Sequence, residues 1–158
     1  QLACAYAAIA NDGIYMQPHL LDAVLNPDGS LYRRVEPAEV GRVCSSQTSR
    51  RILRMLELVV ERGTGKLARI AGVRVGGKTG TAQKPRPDGK GYYQDRFYAI
   101  FVMVLPADRP RWVIAVMADE PHNGHHGGDV AAPAAREIGM AILRLHGMLP
   151  PAKAASAG

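Results

Sequence analysis

Lys78-Thr79-Gly80-Thr81, preceded by Gly76-Gly77 and followed by Ala82-Gln83, sets an ammonium group and two hydroxyls around a glycine. All three side chains donate hydrogen bonds, and the backbone adds its own N–H groups. Donors converging on one spot suit a carboxylate or a developing oxyanion. On a strand, side chains alternate, so Lys78 and Gly80 would face one way and Thr79 and Thr81 the other. Twist and bulges decide which pair faces a cleft, so both remain open at this point. Gly80 in mid-strand would let a ligand or another segment approach the backbone closely.

Two other chemistries compete for nearby residues. Gly72-Val73-Arg74-Val75-Gly76-Gly77-Lys78-Thr79 fits the formal pattern of a phosphate-binding P-loop, and the apolar run from Trp112 ending in Asp119-Glu120 imitates a magnesium-holding strand. Phosphate binding of that kind requires a helix to start at the loop, because the free N–H groups of its first turn hold the phosphates. Here Gly80, Thr81, Pro85 and Pro87 follow, and no helix of useful length grows through them. Asp119, Glu120, His122, His125, His126 and Asp129 could be taken as a metal cluster. They lack a helical His-x-x-x-His, and a zinc site needs three converging ligands with supporting partners. A solvated loop at a cleft mouth is the expectation, with no metal and no cofactor.

The elements that must position these groups follow from periodicity. Leu2, Tyr6 and Ile9 share a helical face, and Asn11-Asp12-Gly13 stops it. Leu20 to Leu25 and Leu31 to Val35 flank the turn Asn26-Pro27-Asp28-Gly29 and predict a surface hairpin. Ile52, Met55, Leu56, Val59 and Val60 predict a helix from about Ser49 to Arg62, with Gly63 at a left-handed cap. Lys78 to Gln83 reads as a strand, and the stretch from Arg69 to Val75 is ambiguous. Phe97 to Leu105 and Trp112 to Ala118 are two apolar strands joined by a short turn, so they are expected to pair antiparallel with both faces covered. Ala134, Ile138, Ala141, Ile142 and Leu145 mark a final covering helix, with Pro133 in its first turn and Gly147 at its end.

Bulk properties narrow the class. The chain has 158 residues, 47% hydrophobic and 22% charged, which is one globular domain's worth of material or less. The net charge of +6 comes from scattered basic residues without the aromatic interleaving of a nucleic-acid surface, so no nucleic-acid partner is expected. Cys4 and Cys44 have no metal-ligand spacing. The apolar runs fall well short of the roughly 20 residues of a membrane helix. Because the chain opens on Gln1 inside a helical pattern, the beginning of its domain and any membrane anchor are expected upstream.

Beyond these readings, Gly76-Gly77-Lys78-Thr79-Gly80-Thr81-Ala82-Gln83 resembles the third signature of the penicillin-binding proteins and serine β-lactamases. Around it, Gln1-Leu2-Ala3, Tyr6 to Asn11, Pro18-His19-Leu20, Gly63-Thr64-Gly65, Pro106-Ala107-Asp108, Asp119-Glu120-Pro121 and Gly127-Gly128 with Ala131-Ala132-Pro133 resemble the class B branch in the same order. The likeness is nearest to the septal cell-division transpeptidases. It implies an α/β fold, a mainly antiparallel sheet covered by helices, with residues 1–150 as the C-terminal portion of the transpeptidase domain and 151–158 as a disordered tail.

The resemblance also implies a function, peptidoglycan D,D-transpeptidation through a serine acyl-enzyme at the periplasmic side of a bacterial inner membrane. The partners would be stem peptides, β-lactams, the upstream half of the same domain and other cell-wall or division proteins. Lys78 would bias the cleft positive and reach toward the second signature. Thr79 and Thr81 would meet a carboxylate, the Thr81 N–H would serve the oxyanion, and Gly80 would keep the strand open. His125-His126 stand where relatives often carry aromatic residues that line the cleft. No Ser-x-x-Lys, Ser-x-Asn or Tyr-x-Asn occurs in these residues, so the nucleophile and the second signature are expected before Gln1. A penicilloyl-binding sensor or hydrolase of the same superfamily, and a non-enzymatic module, are the alternatives.

Overall fold

The computed structural model describes residues 1–122, 124 and 126–149, so His125 and the expected tail 151–158 lie outside the described residues. Helix α1 (Leu2–Ala10) leads into a short strand β1 (Ile14–Met16), a hairpin of β2 (Ala23–Leu25) and β3 (Leu31–Arg34), and β4 (Glu39–Arg42). Helix α2 (Ser46–Glu61) and a 3-10 turn at Lys66–Ala68 precede β5 (Gly76–Pro85), β6 (Tyr92–Leu105) and β7 (Trp112–Asp119), and helix α3 (Ala131–Leu145) closes the described chain. The hairpin turns at Asn26-Pro27-Asp28-Gly29 as expected, with Gly29 at φ +84. The pairing of β1 with β4 carries no signal in so short a pair of segments.

The β5, β6 and β7 strands form one antiparallel sheet in that order, with Thr79 opposite Phe101 and Thr81 opposite Ala99. β6 is the apolar centre, and alternation divides its residues between two cores. Phe101, Met103 and Leu105 pack with Ile114 of β7 and with Ala131, Ala132, Ala135 and Leu143 of α3. Val104 faces the other way, onto Leu53 and Leu56 of α2 and Tyr6 and Ile9 of α1. Both faces are therefore covered, and α2 joins α1 on the second. Each fully buried side chain of this size contributes about 1.5–3 kcal/mol of transfer free energy.

Four local expectations need correction. The face of α3 against the sheet consists of Ala131, Ala132, Ala135, Gly139 and Leu143, whereas Ile138 and Leu145 are exposed. The reason is clearance: a Cβ on Gly139 would sit 3.1 Å from both Leu105 Cδ2 and Met103 Sδ, so at mid-helix the backbone lies too close to the sheet for a side chain. Gly63 is not at a left-handed cap; α2 ends at Arg62, and a Cβ on Gly63 would lie 3.0 Å from Val59 Cα. Leu2 and Met55, expected on packed helix faces, are exposed. Ser45 is the N-cap of α2, its hydroxyl accepting from Thr48 N–H at 3.1 Å, so the helix starts about a turn before the apolar periodicity does.

Gly76 and Gly77 owe their place to packing. A Cβ on Gly76 would lie 3.2 Å from Leu56 Cβ, and one on Gly77 would collide with the buried Phe101 ring. Gly77→Ala is expected to destabilise the longer parent by about 1–3 kcal/mol, the cost of forcing an extra methyl into a packed site. Urea denaturation measures it, and an unchanged midpoint would disprove the close packing.

Candidate active site

β5 is an edge strand, paired on one side with β6. Lys78-Thr79 lies inside this strand, with no helix starting there, so the phosphate-loop alternative fails on geometry. The acidic end of β7 is also accounted for: Lys84 Nζ donates to Asp119 Oδ1 at 2.9 Å, to Asp119 Oδ2 at 3.0 Å and to Glu120 Oε1 at 2.7 Å. Hydrogen bonds to Glu120 and Asp119 raise the Lys84 pKa above the ordinary lysine range. A raised lysine pKa stabilises the fold below the ordinary value and loses that contribution only as pH climbs through the folded one, so Lys84 keeps its charge at neutral pH. Among the described residues no set of three or more His, Cys, Asp and Glu is arranged to hold a metal.

The question left open by strand alternation has an answer in the tertiary packing. Thr79 and Thr81 line a concavity of about 360 Å³ together with Thr64, His126, Gly127, Gly128 and Asp129. The Thr64 and Thr79 hydroxyl oxygens are 2.9 Å apart, and Gly127 N–H donates to Thr81 Oγ1 at 3.4 Å. Lys78 stands on the opposite parity, exposed, with Nζ donating to the Thr79 carbonyl at 2.7 Å. Gly80 opens that second face, where a Cβ would meet only Ile100 Cβ at 3.5 Å.

Gly127-Gly128 is what brings the far wall in. A Cβ on Gly127 would collide with the Ile100 carbonyl and lie 2.7 Å from that of Gly80, and one on Gly128 would collide with the Thr64 carbonyl. Only residues without side chains let this loop rest on the sheet and on the Gly63-Thr64-Gly65 turn. The structure thus unites Thr79, Thr81 and His126. His122 lines a separate polar hollow with Asp95, Arg96 and Glu120. Thr64 was missed as a site residue by sequence reasoning; a hydroxyl between two glycines was the available signal. Another hollow of about 390 Å³ between α1 and β7 is lined by Ala3, Cys4, Ala7, Trp112 and neighbours, and offers no acid–base pair.

The family model for the penicillin binding protein transpeptidase domain matches residues 1–139. This chain belongs to the penicillin-binding protein transpeptidase family, in its class B branch. It is 37% identical over 155 residues to the penicillin-binding protein PbpB of Mycolicibacterium smegmatis, covering 92% of this chain and 24% of that protein. It is 38% identical over 146 residues to a probable peptidoglycan D,D-transpeptidase, PbpC of Pseudomonas aeruginosa, covering 91% and 24%. The fold matches the crystal structure of penicillin binding protein 3 of Mycobacterium tuberculosis complexed with aztreonam, with a TM-score of 0.82, 35% identity, and coverage of 95% of this chain and 36% of that one. The chain spans about a quarter of the length of the curated relatives it matches. The mixed α/β fold with antiparallel sheets is that of these transpeptidase domains.

Proposed function

We propose that residues 1–150 are the C-terminal portion of the transpeptidase domain of a septal peptidoglycan D,D-transpeptidase. The observation that carries this is the pairing of Thr79 and Thr81 on one pocket, walled by Thr64 and Gly127, on the edge strand of a class B penicillin-binding fold. A serine in the rest of the parent attacks the penultimate D-alanine carbonyl of a stem peptide, the C–N bond to the terminal D-alanine breaks, and that D-alanine leaves with the proton. An amine of a neighbouring stem then attacks the ester, forms the cross-link and returns the hydroxyl to the serine. The Thr81 N–H steadies the oxyanion of both steps, and the hydroxyls of Thr79 and Thr81, with Thr64 orienting Thr79, receive the carboxylate of the substrate or of a β-lactam. Lys78, on the other face of β5, lends the site positive charge, Gly80 keeps that face of the strand open to substrate, and His126, with His125 beside it in sequence, stands at the mouth of the pocket. The parent works at the periplasmic face of the inner membrane among other cell-wall synthesis and division proteins.

The test is acylation of the longer parent by a reporter penicillin. Thr79→Val keeps the shape of the side chain and removes its hydroxyl, so capture is expected to weaken by about 1–3 kcal/mol, the cost of leaving a charged or buried partner unsatisfied. Equal second-order acylation rates for the variant and the wild type would take Thr79 out of the carboxylate site. A penicilloyl hydrolase of the same superfamily would instead turn the reporter over rather than hold it.

A further inference from the structure

Lys84 lies three residues beyond Thr81 on β5, about 10 Å along an extended strand, and no role for it follows from the chemistry above. Its ammonium crosses the sheet over the Tyr98 ring of β6, 5.5 Å from the ring centre, to reach the end of β7. There it is bonded to both oxygens of Asp119 and to Glu120, and Arg96 adds a weaker contact to Glu120 at 3.7 Å. Glu120 is one of two non-glycine residues with positive φ among those described, at +48, with its N–H donating to the Phe97 carbonyl at 3.0 Å. Such a conformation costs free energy and persists where surrounding contacts hold it.

Glu120 is also the first residue of the loop that ends at His126 and Gly127. The far end of that loop is fixed on β5 as well, by the Gly127 N–H on Thr81 and by close packing over Gly80. Glu120 and Gly127 therefore each have a hold on the strand that carries the threonines, and Glu120 has a second one on β6 through Arg96 and the Phe97 carbonyl. Without the ammonium, the adjacent carboxylates of Asp119 and Glu120 would repel each other at the point where the chain leaves β7.

We infer that Lys84 is a positioning residue for substrate capture: it clamps Asp119 and Glu120, and so fixes the loop that walls the carboxylate pocket of Thr79 and Thr81. This rests on the function proposed above. The clamp acts on the shape of the pocket and leaves the nucleophile untouched, so its loss raises the concentration needed for capture without slowing the chemical step.

The experiment uses the longer parent and a fluorescent penicillin in stopped flow, with hydrogen exchange of residues 120–127 as a second readout. Lys84→Met is expected to raise the half-saturating concentration about tenfold, the scale of a lost charged hydrogen bond, with an unchanged limiting acylation rate. Lys84→Arg is expected to recover most of that loss, and exchange in the loop is expected to quicken in the methionine variant alone. Half-saturation equal to wild type, a loss confined to the limiting rate, or no recovery with arginine would each overturn the inference. If Lys84→Met does not fold, Glu120→Gln must raise half-saturation in a folded protein, and an unchanged value overturns the clamp. A wild-type parent that is never acylated overturns the proposed function instead; quickened loop exchange in Lys84→Met then still supports the clamp, and unchanged exchange still defeats it.

Discussion

Residues 1–158 incubated alone with a reporter penicillin are expected to carry no covalent adduct, while the longer parent is labelled one to one. Covalent catalysis needs a nucleophile and its activating group within hydrogen-bond reach of each other. None of the four described serines has that arrangement. Ser30 sits in the hairpin turn, donating to Asp28 Oδ1 at 2.6 Å, and Ser45 is occupied as the cap of α2. Ser49 is buried with its hydroxyl donating to the Ile9 carbonyl. Ser46 begins α2 and is followed three residues later by Ser49 rather than by a lysine. The donors proposed on β5 cannot open a lactam without an attacking oxygen. Intact-mass measurement decides the matter: a stoichiometric, stable adduct on this polypeptide would sink the assignment of the serine to the rest of the parent.

The second large effect is expected at Thr81. Replacing it by proline in the parent removes the backbone N–H proposed for the oxyanion, and acylation is expected to fall about 10²- to 10³-fold, the loss seen when one oxyanion donor is removed. Proline is best tolerated on an edge strand, and β5 is paired on one side only among the described residues. Thr81→Val is the companion, because it keeps the N–H and loses only the hydroxyl that accepts from Gly127. Its rate is expected to stay far nearer to wild type. The thermal melt separates catalysis from folding: a Thr81→Pro parent that melts with the wild type but acylates slowly has lost a donor. A folded proline variant that acylates normally, or a valine variant as slow as the proline one, would show that the backbone N–H is not the donor.

Local pattern made much of the frame legible. The spacing of Ile52, Leu56, Val59 and Val60 specifies α2, and the unbroken apolar runs around Phe101 and Ile114 specify a buried antiparallel pair, because burial on both faces removes alternation. The prolines after Gln83 excluded a helix at Lys78, so the Lys-Thr-Gly segment read as a strand. Where the reading slipped, clearance was the cause. On α3 the large apolar residues Ile138 and Leu145 outweighed Gly139 in the pattern, yet the small residue faces the sheet because the helix axis lies so near Met103 and Leu105.

By itself the sequence determined the types of the longer elements, the hairpin of β2 and β3, the antiparallel pairing of β6 with β7 and the Lys-Thr-Gly motif, all of which depend on neighbours within a few residues or on a recognisable run of them. Only the tertiary structure decided which side of β5 lines the pocket, that Thr64 meets Thr79 across 15 residues of chain, and that Lys84 holds Asp119 and Glu120 across β6. Those outcomes depend on where the edge of the sheet falls and on how closely Gly127 and Gly128 let a distant loop approach it. Distances between segments far apart in the chain are set by the packing of whole elements, and no local periodicity encodes them.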